Sequence, residues 1–544
     1  MELSHFIQTS QVENVCVYCP LSAPKTGTLC VSSHHLLLCP ANEENTKQQQ
    51  SDFWLLHCAV DTVEKSVLNM GMFNNRGDES GKRGMGTLTL RCKDLRVIHL
   101  DIPGMEETLD IARSIQALSS QDHIQLSYPF FFRPPGYTLG KGWPRDTTEN
   151  FFQRLKAETD SWRLSEVNEG FKVCLSYPTK VIVPQCSSDD SLRKAANFRQ
   201  GGRFPILSYF HRSNGTVLLR CAQPLFGPDH HYCKEDEALL KEVLVGQSSG
   251  FIIDTRSAKQ AKQAQSAVGG TKKQSRYPNW KLLHRPLERG RDLQESLTRL
   301  VAACYEPSPG MGHWLSKLQA CRWMSNVQEA LRTAGLIAEC IEREGACVLV
   351  QGERGTDNTL LMTSLAQLIL SPECRTMDGF QDLIEREWLQ AGHPFQLRCA
   401  GSGWSQGRSQ QESPNFLLFL DCCWQLGRQF PRSLAFNEAL LCILAHHAYS
   451  SEYGTFLCNN ESERNLYEVQ DRTISLWGFL NDPKQRCQLQ NPMYDENLLV
   501  IWPSVAPQSL QLWGGFFLRH LFSQEDTQLA RNRMVKLIDE VESH

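Results

Sequence analysis

Residues 346–370 constrain this chain more than any other stretch. Ala346-Cys347-Val348-Leu349-Val350 is short and wholly apolar, as a central strand buried on both faces must be. Gln351 to Thr359 follow, with glycines at Gly352 and Gly355. Residues 360–370 then carry apolar side chains at helical spacing. Strand, glycine-containing loop and helix together aim backbone N–H groups and a helix N-terminus at one point, where an anion is favoured. A nucleotide-binding P-loop is excluded, because that motif needs Gly-Lys-Ser/Thr and no lysine is present here.

The rest of the chain divides around this element. Residues 15–18, 28–39, 53–62 and 87–100 are β-branched or aliphatic runs separated by polar turns, and they predict strands. Polar inserts at 41–51 and 73–85 lack apolar content and read as hairpin tips. Residues 105–119 place Leu109, Ala112, Ile115 and Leu118 on one helical stripe. A small barrel or bent sheet closed by one amphipathic helix fits this pattern. The aromatic, proline-rich stretch 128–136 reads as a linker packed on a domain. Beyond it, strands are expected at 203–209 and 250–254, helices at 293–304, 314–344 and 379–389, and an exposed basic loop at 259–276 with Lys272, Lys273 and Arg276. This alternation predicts a large α/β domain.

Composition narrows the function classes. The net charge of −4 gives no global field for nucleic acid. No secretory signal is read in the opening residues, so the 21 cysteines are expected to be reduced thiols. Cys16 and Cys19 form a lone CxxC, read as two buried thiols. His393 has no partner at metal-ligand spacing and reads as structural. No metal or cofactor is expected. No apolar run reaches the roughly 18 residues of a membrane span, so membrane contact would be peripheral.

The strand–loop–helix is also the frame of cysteine-dependent phosphatases, whose thiolate opens the loop and whose arginine closes it. The loop resembles the myotubularin signature H-C-S-D-G-W-D-R-T, followed at family spacing by Thr363-Ser364-Leu365-Ala366. Phe198-Arg199 with Gly202-Arg203-Phe204-Pro205-Ile206-Leu207-Ser208 resembles F-R-x-x-G-R-x-P-V-L-S. Arg220-Cys221-Ala222-Gln223-Pro224, Asp254-Thr255-Arg256 and Leu383-Ile384-Glu385 through Gly392-His393 resemble further family segments. The resemblance runs over about residues 1–525. It implies an N-terminal PH-like (PH-GRAM) β-barrel with a C-terminal helix at 1–122, a packed linker at 123–160 and a cysteine-phosphatase-like α/β domain at 161–525. Residues 526–544, with Met534, Leu537, Ile538 and Val541, read as a C-terminal helix too short for a coiled coil.

Against that pattern the loop is degenerate. Gln351 stands at the histidine position, Gly352 at the nucleophile and Asn358 at the arginine, while Gly355, Asp357 and Thr359 match and Glu353, Arg354 and Thr356 fill the remainder. Asp357 matches the general acid, but without a nucleophile no phosphoenzyme forms. Glu353 adds a carboxylate where phosphate would sit, which repels it. Gln260, Ala264, Gly269-Gly270 and Gln294-Glu295-Ser296 depart from the pattern of active members as well. The resemblance therefore implies a pseudophosphatase with no catalytic residues, a regulator of active myotubularin 3-phosphoinositide phosphatases. It would be cytoplasmic and peripheral to endosomal or other internal membranes. Two alternatives stay open: a stand-alone phosphoinositide-binding module working through the PH-GRAM domain, and an enzyme using Cys347 or Cys422. The C-x5-R spacings Cys422 to Arg428 and Cys458 to Arg464 read as chance, the first because its spacers are helical, the second because they carry Glu461 and Glu463. Trp388, Trp424 and Trp502 read as core.

Overall fold

A computed structural model describes residues 3–20, 22–40, 53–67, 85–121, 123–143, 147–225, 233–244, 249–257, 277–306, 310–404 and 411–521. The expected insert at 41–51, all of that at 73–85 but Met85, the basic loop with Lys272, Lys273 and Arg276, Gln260, Ala264, Gly269-Gly270 and the C-terminal helix lie outside these residues; Met85 opens a strand.

The four N-terminal runs become seven strands: β1 (Gln11–Tyr18), β2 (Lys25–Val31), β3 (His35–Pro40), β4 (Phe53–Leu56), β5 (Val60–Val67), β6 (Met85–Cys92) and β7 (Val97–Pro103). They form one sheet in the order β4-β3-β2-β1-β7-β6-β5, antiparallel throughout. Helix α1 (Met105–Ser119) closes it with Ile111, Ala112, Ile115 and Leu118. Leu109 is only half-buried, so Ile111 takes the place expected of it on the core stripe.

Three runs expected as single strands are each broken without glycine or proline, two by a reversal and one where the chain passes from one edge of the sheet to the other. Residues 28–39 split at Ser32, whose hydroxyl accepts from the His35 amide at 3.0 Å and supplies the turn chemistry itself. Residues 53–62 split at the short 3-10 turn His57–Ala59. Residues 87–100 split at Leu95, which adopts a left-handed φ of 70°. Cys16 and Cys19 are half-buried instead of buried, because Cys16 alternates with the inward Val15 and Val17 and so faces outward.

The second unit is built on a five-stranded sheet. Its strands are β10 (Ile206–Phe210), β11 (Val217–Ala222), β12 (Gly250–Asp254), β13 (Trp280–His284) and β14 (Cys347–Gly352), after a separate β8 (Trp162–Ser165) and β9 (Val181–Pro184) pair. The order β10-β11-β14-β12-β13 puts β14 at the centre, flanked by parallel neighbours on both sides. Helices α2 (Gly290–Tyr305), α3 (Met311–Cys321), α4 (Trp323–Glu342), α5 (Asn358–Leu370), α6 (Met377–Ile384) and α7 (Asn415–Gln429) carry most of the remaining core. Every residue of α5 is buried. The helix expected over 314–344 is two helices, parted where Arg322 takes a φ of 63°. That expected over 379–389 ends at Ile384 in a π-helical turn, Glu385–Leu389. The strand expected from 203 starts at Ile206.

The first unit docks on the second through two acidic side chains. Asp94 accepts from His446 at 3.1 Å and pairs with Arg519 at 3.3 Å. Burial opposes its charge, but Arg519 and Arg96 hold its carboxyl well below the usual range. Asp61 accepts from the Ser402 amide at 3.0 Å and hydroxyl at 2.7 Å, and the Trp404 indole donates to the Cys92 carbonyl at 3.0 Å. Among the described residues no helix is long and apolar enough to cross a membrane.

Candidate functional site

The carboxyl ends of β11, β14 and β12 lie side by side, with Ala222 opposite Gly352 and Asp254 opposite Gln351. Ligands of parallel α/β sheets bind at such ends. The chain leaves β14 at Gly352, turns back and enters α5 at Asn358. The turn requires Gly355: its φ is 68°, and a Cβ there would meet the Cys221 carbonyl oxygen at 2.8 Å.

Most positions of the loop are tied to the framework; Arg354 is exposed, and among the described residues the buried Thr359 hydroxyl has no hydrogen-bond partner. The Gln351 carbonyl accepts from the Thr255 amide at 3.0 Å and hydroxyl at 3.1 Å, and Arg199 donates to its side-chain oxygen at 3.4 Å. Arg203 donates to the Gly355 carbonyl at 2.8 Å. His393, fully buried, donates from Nδ1 to the Thr356 carbonyl at 2.8 Å. Glu353 forms an ion pair with Arg289. Gly352 is buried, and the space a Cβ would take is occupied: it would lie 2.7 Å from Thr359 Oγ1 and 3.1 Å from Thr255 Oγ1.

The two polar residues at the start of α5 are fully engaged. Arg398 donates from Nε and Nη2 to the two carboxylate oxygens of Asp357, each at 2.9 Å. Asn358 donates to the Leu287 carbonyl at 3.1 Å and accepts from Asn415 at 2.9 Å. Burial works against ionisation of Asp357, yet Arg398, followed by His393 and Arg289, brings its carboxyl below the ordinary value. A general acid must hold a proton near neutral pH, and this environment favours losing it. Burial lowers His393 to about 4, so the ring is neutral. Burial also lowers Arg289, and Arg354 and Arg398 nearby add to this against the opposing Asp357.

The other thiols singled out by sequence lie apart from this loop. Cys347 is buried in β14, and burial raises its thiol. Cys422 is buried in α7 and raised well above the usual value by burial, with Asp421 adding to it. Cys458 is buried and pushed up to about 12 by burial, while Arg464 turns to the Leu457 carbonyl at 3.0 Å. Buried, protonated thiols are inert. Gln294 and Ser296 serve as struts, donating to the carbonyls of Ser402 and Cys321, each at 2.7 Å, and Glu295 pairs with Arg299 on the surface. Trp388 is fully buried, whereas Trp424 and Trp502 are half-buried at the core's margin. Among the described residues no group of three or more His, Cys, Asp or Glu is placed to hold a metal ion. Sequence reasoning missed Arg289, Arg398 and Asn415, which meet the loop only through the fold.

Fold and loop together define a protein with an N-terminal sheet capped by one helix and a phosphatase-like α/β domain. The Myotubularin-like phosphatase domain family matches residues 127–465, and the "MTMR6-9, GRAM domain" family matches residues 11–119. The chain belongs to the myotubularin family. It is 54% identical to the cattle myotubularin-related protein 9-like over 100% of this chain and 97% of that one. It is 48% identical to human myotubularin-related protein 9 over 99% and 95%. With the mouse phosphatidylinositol-3,5-bisphosphate 3-phosphatase MTMR6 it shares 32% over 97% and 82%.

Proposed function

We propose that this chain is a catalytically inactive myotubularin that regulates active 3-phosphoinositide phosphatases of its family. The observation that carries the reading is the state of the loop. Gly352, at the nucleophile position of the signature, has no side chain, and the space for one is taken by Thr359 and Thr255. Asn358, at the arginine position, is neutral and spends its amide on Leu287 and Asn415. Asp357 is held as a carboxylate by Arg398. Losing even one transition-state group costs orders of magnitude in rate, and here the nucleophile and the phosphate-gripping cation are both missing. What remains is a folded scaffold able to bind partners. Its place of action is the cytoplasmic face of endosomal or other internal membranes, reached through the PH-GRAM domain and the partner phosphatase.

A stand-alone lipid-binding role has support from the PH-GRAM match at 11–119. The cavity of about 360 Å³ in that unit is lined by Asp61, Thr62, Val63, Gln116, Ser119 and Ser120. Among the described residues that line it there is no cation to grip a phosphorylated headgroup. Titrating the chain into an active relative hydrolysing phosphatidylinositol 3-phosphate tests the regulatory reading. A saturable change in that enzyme's rate is expected. An unchanged rate, with no complex formed, would overturn it.

A further inference from the structure

Two thiols lie side by side on the outer face of the first unit, away from its core. The β2–β3 register sets Thr28 opposite Cys39 and Cys30 opposite Leu37, so Cys30 and Cys39 are diagonal neighbours on adjacent strands. Side chains alternate between the two faces of a strand. Leu29, Leu36 and Leu38 are buried, so Cys30 and Cys39 point the other way. Cys39 is exposed and Cys30 half-buried. Burial pushes the Cys30 thiol up, and the charge and hydrogen bond of the neighbouring Cys39 thiol add to the push. From the other side, the Gln11 amide group on β1 donates to the Cys30 sulfur at 3.6 Å. Of the other exposed cysteines, Cys186 and Cys487, neither lies on a strand.

Diagonal neighbours have Cα atoms about 7–8 Å apart, slightly more than the roughly 4.4–6.8 Å that a relaxed disulfide spans. A small shear of β3 along β2 closes that gap, and the end of β3 that carries Cys39 is the part freest to make it. Among the described residues the pairing of β3 with β4 ends at Leu38, and β4 is itself an edge of the sheet. Past Leu38 the strand is therefore paired on one side, by β2. A bond closed under shear is strained, and strained, exposed disulfides are the readily reduced kind.

We infer that Cys30 and Cys39 form a reversible oxidation site, joined by hydrogen peroxide into a disulfide that staples β2 to β3. Cys39 reacts first, because it is the accessible thiol. Its thiolate attacks one peroxide oxygen. The S–O bond forms, the O–O bond breaks, and the departing hydroxide takes up the proton that the thiol released and leaves as water. The Cys30 sulfur then attacks the Cys39 sulfur. The S–S bond forms, the S–O bond breaks, and hydroxide leaves with the Cys30 proton as a second water. The two sulfurs are oxidised and the peroxide is reduced. A small thiol such as glutathione reverses the reaction through a mixed disulfide. The site does not involve the loop at 351–359, so it stands apart from the regulatory reading above.

The test treats the full chain with hydrogen peroxide, alkylates the remaining thiols under denaturing conditions, and maps disulfides by mass spectrometry of unreduced peptides. A Cys30–Cys39 cross-link is expected, and it should disappear when glutathione is added before alkylation. Cys30→Ser and Cys39→Ser should each abolish it without lowering the melting temperature, because both side chains lie outside the core. With dimedone present during oxidation, Cys30→Ser should carry the adduct of a sulfenic acid at Cys39, the intermediate left without its resolving thiol. The site is refuted if peroxide leaves Cys39 a thiol. It is refuted equally if Cys39 ends as a sulfenic or sulfinic acid while Cys30 is alkylated, or if Cys39 joins a cysteine other than Cys30.

Discussion

Arg398 meets Asp357 with both arms, each at 2.9 Å, at the point where α5 begins. The pair is almost fully buried, with side-chain exposures of 9% and 8%. In an active phosphatase loop this carboxylate would need to carry a proton to the leaving group. Here the guanidinium holds it ionised, and the residue serves as the anchor of a rigid turn. Arg398→Ala would leave a buried carboxylate uncompensated and should cost about 3–5 kcal/mol of stability, read as a shift of the urea midpoint at unchanged slope.

The same pair sets a response to acid. The folded-state pKa of Asp357 lies below its ordinary value of 3.8. Its contribution is therefore complete above that value and is lost as pH falls through the lower folded one. Asp357→Asn should remove this part of the acid sensitivity, seen as a flatter stability profile below pH 4 than in the native chain.

Two histidines act in the same sense but at milder pH. Burial lowers both His57 and His393 from 6.5 to about 4, and both are shielded from solvent. Between those values the unfolded chain binds the protons and the folded chain does not, so stability falls as pH drops from about 6.5 towards 4. The loss at pH 5 relative to pH 7 should be about 2 kcal/mol for each histidine. Urea titrations at the two pH values measure it, and His393→Gln should remove its share.

Restoring the lost groups should not restore chemistry. A Cβ at residue 352 meets Thr359 Oγ1 and Thr255 Oγ1, and an arginine at 358 would break the bonds to Leu287 and Asn415 in a buried position. Gly352→Cys with Asn358→Arg is expected to lose about 1–3 kcal/mol through overpacking and to release no phosphate above background. Measurable turnover by this variant would show that the pocket still accepts its substrate.

The junction between the two units gives a further test. Asp61→Ala leaves the Ser402 amide and hydroxyl without this acceptor, which should cost about 1–3 kcal/mol. Hydrogen exchange should rise at residues 398–404, the segment that also carries Arg398, while the centre of the five-stranded sheet stays protected.

What could be read from the sequence followed from local signals. The apolar run of β14, the glycines after it and the periodicity of α5 identify the loop, and α1 begins and ends where its stripe predicts. The breaks at Ser32, His57–Ala59 and Leu95 escaped because none uses glycine or proline, and one depends on a side-chain hydroxyl. Arg322 likewise breaks a helical pattern through a left-handed residue of ordinary type. The loop's partners were illegible for another reason. Arg289 and Arg398 lie far along the chain from Glu353 and Asp357 and meet them only after α2 and the turn following Trp388 have packed. Sequence placed Glu353 as a repulsive carboxylate; the fold adds the cation that pairs with it.

The most direct test of the central claim is single-turnover phosphate release from phosphatidylinositol 3-phosphate, with the purified chain alone and in excess over lipid. No release above the lipid-only background is predicted, because no group stands at residue 352 to attack. Release that persists through repeated purification and disappears on Cys347→Ser or Cys422→Ser would contradict the account and identify the nucleophile.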